Sequence, residues 1–356
     1  KFEAEGYTFD MGPSWYWMPD VFDRYFEQFG RKREDYYTIE RLDPSYVVRW
    51  QDQTYWELPA NYDELRQLFE KEELGAGAKL DKFLEEAAYK YEVGINKLVY
   101  KPGQSVMEFA DWDFLKGAMR LQVFNSIKSH IADLFQSEKL RQILEFPVLF
   151  LGALPEKTPA LYSLMNYADI KGGTWYPPGG MHKIVEGMVQ LAEDLGVAFK
   201  YNTIVEQLTT ENGRVTGLKT NQGHIAADIV VAGADYHHVE EQLLPKVYQQ
   251  YSENYWDKRV MAPSSMIYYV GIDRKLPGLH HHTLFFDAPF DRHAKEIYTD
   301  PKWPDNPLFY LCAPSVTDDS VAPEGHENLF FLIPVAAGIN DTPEAHERYF
   351  DGLCDR

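Results

Sequence analysis

Cysteine is nearly absent: 356 residues hold only Cys312 and Cys354, too few for a disulfide framework and suited to a reducing compartment. Basic residues are scarce as well. Lys and Arg total 35 against 55 Asp and Glu, a formal net charge of −20, and that balance excludes general nucleic-acid binding, which needs clustered cations to neutralise phosphates. Long hydrophobic runs are missing. The longest, 146–154 and 329–339, fall well short of the roughly 20 residues a bilayer-spanning helix needs. No G-x-S-x-G elbow occurs, which removes the support for a Ser-His-Asp hydrolase of that kind. Also missing is a strand followed by a G-x-G-x-x-G loop and a helix, the unit whose helix N-terminus holds a dinucleotide pyrophosphate. Gly75-Ala76-Gly77 is no substitute, because it follows the acidic helical run Glu70-Lys71-Glu72-Glu73 and not a strand. The length allows two domains.

What is present is concentrated in 174–236. Pro177-Pro178-Gly179-Gly180 predicts a rigid turn that lets backbone approach a neighbour closely. Ile184, Met188, Leu191 and Leu195 then recur at helical spacing, with Gly196 where a left-handed C-cap belongs. Strands are expected at roughly 198–209, 214–220 and 224–232, joined by the turn signals Glu211-Asn212-Gly213 and Asn221-Gln222-Gly223. Ile229-Val230-Val231-Ala232 reads as a strand buried on both faces, ending in Gly233-Ala234-Asp235. A loop at the carboxyl end of such a strand is where α/β folds bind ligands.

This block resembles the bacterial-type carotenoid (phytoene) desaturases, FAD-dependent proteins of the flavin amine oxidase-like superfamily. Two further stretches share the resemblance. The run from Gly6 to Ser14, GYTFDMGPS, is similar to the segment that follows the family's flavin-binding Gly-Gly-Arg. The run from Leu308 to Gly325, LFYLCAPSVTDDSVAPEG, is similar to its late substrate-domain motif. The resemblance implies an α/β architecture: an incomplete FAD/NAD(P)-binding Rossmann-like domain, an inserted helical region, and a mainly antiparallel substrate-binding sheet domain. The corresponding boundaries are 1–14 and 174–250 for the partial FAD-binding domain, 15–173 for the inserted, membrane-facing region, and 251–356 for the sheet region. Both ends read as cut, with the nucleotide-binding βαβ element expected before Lys1 and a second flavin-contacting segment after Arg356.

Within the inserted region, Leu65, Leu68 and Phe69, then Leu80, Phe83, Leu84 and Ala87, then Phe114, Ala118, Leu121 and Phe124 repeat at helical spacing. Strands are expected at 266–272, 282–286, 309–313 and 330–334. Their many Phe and Tyr residues suit core packing before cavity lining. The helix expected near 114–135 carries Lys116, Arg120 and Lys128 with no acidic residue between Asp113 and Asp133. Such a face either is simply solvated or lies on an anionic membrane surface. With the family resemblance, the latter implies a cytoplasmic protein peripheral on the inner face of the cell membrane. The stretch 146–152 reads as core before portal.

Desaturation removes a hydride and a proton from adjacent carbons; no side chain accepts a hydride, whereas a flavin does. The resemblance therefore implies FAD as cofactor and a lipophilic polyene as substrate. It places Gly12, Pro13, Gly179 and Gly180 against flavin or cavity and Val205 toward the nucleotide, with Gly233 and Ala234 as further cofactor-binding candidates. Each has a plain alternative as a turn or core residue, and Asp235 reads as a helix cap. For acid–base work the candidates are Glu138 and Arg141, three apart on one helical face, with a surface ion pair as the alternative. Asp318 and Asp319 read as turn or cap residues before cavity residues. His280-His281-His282 and His237-His238 are consecutive, so their side chains are expected to diverge, and no metal site is expected. Other readings of the chain are an amine oxidase, a carotenoid isomerase, or a non-catalytic prenyl-lipid binder of the escort type.

Overall fold

The computed structural model describes residues 1–105 and 121–356. The chain opens on a hairpin, β1 (Phe2–Ala4) and β2 (Tyr7–Phe9). Its turn residues Glu5 and Gly6 sit at φ 52° and 86°, the backbone of a tight two-residue turn matched to strand twist. β3 (Glu40–Arg41) precedes a second hairpin, β4 (Tyr46–Trp50) and β5 (Tyr55–Leu58), and pairs with the distant β6 (Trp175–Tyr176). β7 (Val205–Glu211), β8 (Arg214–Thr220) and β9 (Gly223–Ala226) form an antiparallel meander. β10 (Ser264–Ile272), β11 (His282–Phe286), β12 (Phe309–Cys312) and β13 (Glu327–Val335) join the second hairpin in a six-stranded sheet of order β10-β13-β12-β11-β4-β5. Every pairing in it is antiparallel except that of β11 with β4. The expectation of a mainly antiparallel sheet holds. β4 and β5 were not foreseen: Tyr46-Val47-Val48 and Trp50 of β4 are buried on both faces and show no alternation to read, and β5 is only four residues long.

Two compact units make up the chain, Lys1–Leu191 with Ala262–Arg356, and Ala192–Met261. In the larger unit, helices Tyr62–Glu72, Ala76–Val93, Ile127–Leu134 and Glu138–Glu145 bury Leu65, Phe69, Leu80, Phe83 and Leu84 in one apolar cluster with Val48, Trp50, Phe286 and Tyr310 of the sheet. Gly75, at φ 83°, turns one helix into the next, and the Glu70 carboxylate accepts from the Gly75 and Gly77 N–H groups. Gly75-Ala76-Gly77 is thus a helix junction. Phe146 and Val148 are buried, so the start of the 146–152 stretch is core, whereas Leu151 is exposed. The sheet aromatics are core too, with Phe285 stacked on Phe309 at 4.0 Å.

Two expectations need correction. The helix near 114–135 is not continuous: Gln122 has φ 53°, and a fresh helix starts at Ile127 behind Ser126, whose hydroxyl accepts from Ser129 N–H at 3.1 Å. Asn125-Ser126 was a capping signal that the apolar spacing obscured. Lys128 bonds Asp291 at 3.1 Å, while Lys116 and Arg120 lie outside the described residues. The strand expected at 224–232 ends at Ala226. Ile229 and Val231 are exposed, because no described strand pairs with them and an apolar run without ladder partners gains nothing from extending. Strand 198–209 likewise begins only at Val205, while β8 and the helix His182–Asp194 followed by Gly196 at φ 87° match their expectations.

A buried polar network ties sheet to helix. Tyr46 donates to Asp169 Oδ2 at 3.0 Å and Thr174 to Oδ1 at 3.2 Å. Burial pushes the Asp169 carboxyl up to about 7, against the pull of these hydrogen bonds and of Arg41. An unfolded Asp titrates near ~4. The fold therefore keeps a proton that the unfolded chain has lost, and this contribution, full at low pH, disappears as pH rises through about 7. Asp169→Asn cannot lose a proton, so the variant is expected to lose less stability than the parent between about pH 5 and pH 8, a difference of order 2–4 kcal/mol. Denaturant titrations at the two pH values check this. Identical pH dependence in parent and variant rules the carboxyl out as the source.

Candidate active site

The beginning of the 174–236 stretch and the two further stretches singled out in the sequence meet at one place in the larger unit. β2 delivers Asp10, whose carboxylate accepts from Met181 N–H at 2.6 Å and His182 N–H at 3.0 Å. It thereby caps the helix His182–Asp194 from a distant part of the chain and places negative charge at the positive end of that helix. From the opposite side Asp318 Oδ2 accepts from Gly179 N–H at 2.6 Å and the buried Tyr176 hydroxyl at 3.0 Å, while Oδ1 takes the Ser320 amide and hydroxyl. Burial alone would raise the Asp318 pKa; the bonds from Ser320, Gly179 and Tyr176 outweigh it and hold the carboxyl below its ordinary value. The Gly179–Gly180 turn is therefore clamped between two carboxylates. A cavity of about 20 Å³, the size of one water, marks the junction and is lined by Asp10, Ser14, Tyr176, Gly180, Cys312 and Val321.

Each expected site residue can now be placed. Gly12 and Pro13 are exposed; a Cβ on Gly12 would meet no atom of the chain within 4 Å, yet its φ of 156° disfavours a side chain. Gly179 and Gly180 have φ 93° and 95°, and added Cβ atoms would lie 2.6 Å from Lys183 Cε and 2.8 Å from Asp10 Oδ2, so the chain itself requires glycine at both. Val205 opens β7 in the smaller unit. Gly233 and Ala234 are exposed there, just before Asp235, which caps the following turn through His238 N–H at 2.9 Å. Glu138, exposed at the start of its helix, accepts from Gln142 at 3.1 Å, and Arg141 donates to the Phe135 carbonyl at 2.7 Å. Glu138 and Arg141 are not among the residues lining the cavity. Asp319 is exposed beside Asp318, which performs the capping duty expected of the pair.

Sequence reasoning missed the roles of Asp10 and Tyr176 and misjudged the histidines. A signal for Asp10 existed: the helix at His182 has no Ser, Thr, Asp or Asn immediately before it, so its first N–H groups needed a cap from elsewhere. His281 lies in a bend ahead of β11, outside the strand alternation that makes neighbours diverge. Its ring packs edge-on against His282 at 4.5 Å. His282, the first residue of β11, stacks on Trp15 at 4.1 Å and 11° and sits directly across from Cys312.

Residues 1–351 match the family of flavin containing amine oxidoreductases. The chain belongs to this family. It is 40% identical to the carotenoid 3,4-desaturase of Haloarcula japonica over 350 residues, 98% of this chain and 71% of that protein. It is 30% identical to the zeta-carotene-forming phytoene desaturase of Myxococcus xanthus, covering 94% of this chain and 64% of the relative. Among solved structures, an oxidoreductase from Methanosarcina mazei superposes with TM-score 0.54 at 13% identity, covering 99% of this chain and 72% of that one. A Rab GDI from Plasmodium falciparum superposes with the same TM-score at 12% identity, covering 99% and 71%. At such identities these structures establish the fold alone. Within the family the chain groups with the carotenoid desaturases, and FAD is the family cofactor.

Proposed function

We propose that the protein desaturates a long polyene, phytoene or a related carotenoid, by hydride transfer to FAD. The observation that carries this reading is the state of the two carboxylates at the junction. Both Asp10 and Asp318 are engaged by N–H and O–H donors of the chain itself, so neither is left free to pair with a cationic substrate amine. The 40% identity to a carotenoid 3,4-desaturase supports the same substrate class. FAD supplies the hydride acceptor when bound. Gly12 and Pro13 fit a planar ring, since both are exposed and a Cβ on Gly12 would meet nothing within 4 Å; Gly179 and Gly180 are assigned to the flavin or cavity side, Val205 to the nucleotide end, and Gly233 and Ala234 to further cofactor contacts. The division into a FAD-binding part (1–14 and 174–250), an inserted region (15–173) and a sheet region (251–356) belongs to this proposal, with the inserted region lending β4 and β5 to the sheet.

The test supplies intact protein with FAD and, in parallel, a colourless polyene and a series of primary amines. Growth of visible absorbance with the polyene is the expected result; amine oxidation with every polyene left colourless would replace this reading by the amine-oxidase one. Binding of prenyl lipid without flavin reduction would favour the escort-type reading. In the same assay Glu138→Gln tests the acid–base assignment of Glu138 and Arg141: slowed turnover with retained flavin supports it, since such assistance is worth ~10²–10⁴-fold, and unchanged turnover leaves both as helix residues.

Peripheral association with the inner membrane face is part of the proposal, because the substrate resides in lipid. No described helix is long and apolar enough to cross a membrane. Salt-sensitive co-sedimentation with anionic vesicles, lost when Lys116, Arg120 and Lys128 are reversed to Glu, is the expected behaviour.

A further inference from the structure

Beside the cavity lies a group of side chains that the reaction does not use. His281, His282 and Cys312 are all buried, and one ligating atom of each lies within 4.8 Å of the others. The hydrogen bonds around them decide which nitrogens are available. His281 Nδ1 is 2.8 Å from the Thr317 hydroxyl and His282 Nδ1 is 2.7 Å from the Tyr310 hydroxyl. Tyr310 donates onward to Ser14 at 2.9 Å, so its oxygen is free to accept the Nδ1 proton of His282. That tautomer leaves the Nε2 lone pair exposed to whatever faces it. Neither Nε2, of His281 or of His282, has a hydrogen-bond partner among the described residues, although both are buried.

Two buried ring nitrogens without partners are costly, about 1–3 kcal/mol each, and native interiors rarely leave them so. Imidazoles held through Nδ1 by a hydroxyl, with a buried Nε2 left without a partner, are the arrangement in which histidine ligates metal, the outer bond fixing ring and tautomer. The third group is a thiol, and it faces His282 directly across the β11–β12 ladder, so the pair needs no rearrangement of backbone to converge.

We propose that His281, His282 and Cys312 form a zinc site that pins the bend before β11 to β12 at the wall of the cavity. Two neutral imidazoles and one thiolate suit Zn²⁺, which prefers nitrogen and sulfur ligands in tetrahedral geometry. Binding expels the thiol proton, so a dication meets one negative ligand. Cys312 is the ligand that also lines the cavity, and the fourth position is left to water or another small donor. The role is to hold the wall: the ion joins Thr317 and Tyr310, through the two histidines, to the segments that carry Asp318 and Ser14.

The test is metal analysis of the intact, flavin-loaded protein before and after dialysis against Zn²⁺, with Cys312→Ser and His281→Gln alongside. About one zinc per chain in the parent, lost in both variants while each retains its circular dichroism and its flavin, is the expected result. Because His281→Gln could disturb folding, Cys312→Ser, which nearly keeps the side-chain volume, is the deciding variant. Thiolate-to-cobalt charge transfer after Co²⁺ loading, present in the parent and absent in Cys312→Ser, identifies the sulfur as ligand. A folded parent that takes up no zinc, zinc retained undiminished by Cys312→Ser, or copper found in its place would each overturn the assignment.

Discussion

Gly12→Val is expected to abolish flavin retention and polyene desaturation together while leaving the chain folded. A Cβ on Gly12 meets no atom of the chain within 4 Å, so the substitution does not clash with the protein itself. Its cost to the fold is the backbone conformation alone, φ 156° for a β-branched residue, which is of order 1–3 kcal/mol. Its effect on a planar ring is different in kind, because two methyl groups would stand where flavin and backbone are proposed to touch. Flavin absorbance relative to protein absorbance, and pigment formed from a colourless polyene, are the readouts; the thermal midpoint serves as control. Yellow, active Gly12→Val protein would remove Gly12 from the flavin site and leave its φ as the sole reason for glycine. Gly12→Ala is expected to be intermediate, since a single methyl intrudes less.

The 6–14 and 308–325 stretches and the Pro177-Pro178-Gly179-Gly180 turn, among the strongest local signals in the sequence, are brought together by the fold. Turn chemistry and helix entry are local, so Pro177-Pro178-Gly179-Gly180, the helix after it and Gly196 at φ 87° could be read directly. What closes the turn is not local. Asp10 reaches Met181, just ahead of the helix at His182, across 171 positions and Asp318 reaches Gly179 across 139, and a carboxylate carries no mark of its distant partner. The histidines failed for a related reason. Divergence of adjacent side chains presumes regular strand, and His281 sits one residue before β11 begins. The run Ile229–Val231 shows the opposite error: apolar composition alone predicted a strand, but a strand exists only with neighbours, and the described residues provide none. β4 escaped because burial on both sides removes the alternation by which strands are recognised, and β5 because a strand of four residues offers too short a pattern.

Asp318→Ala is expected to be among the most damaging single substitutions in the larger unit. The carboxylate takes four donors, the Tyr176 hydroxyl, the Gly179 amide, and the Ser320 amide and hydroxyl. Tyr176 is almost wholly enclosed, so water cannot replace the lost acceptor without opening the site. An unsatisfied buried donor costs about 1–3 kcal/mol, and with the Gly179 amide released as well the loss should reach about 3 kcal/mol or more in denaturant unfolding. Asp318→Asn separates charge from geometry. It keeps one acceptor oxygen, but its amide group presents hydrogens where two donors already point, so it should recover only part of the loss. The native carboxyl is held below its ordinary pKa by the Ser320, Gly179 and Tyr176 bonds, which means its contribution is present at neutral pH and fades as the solution is acidified through that lowered value. Parent and Asp318→Ala should therefore converge in stability at low pH. A constant gap between them at every pH would mean that the side chain acts by packing and not by its charge, and the two-carboxylate clamp on the glycine turn would then rest on Asp10 alone.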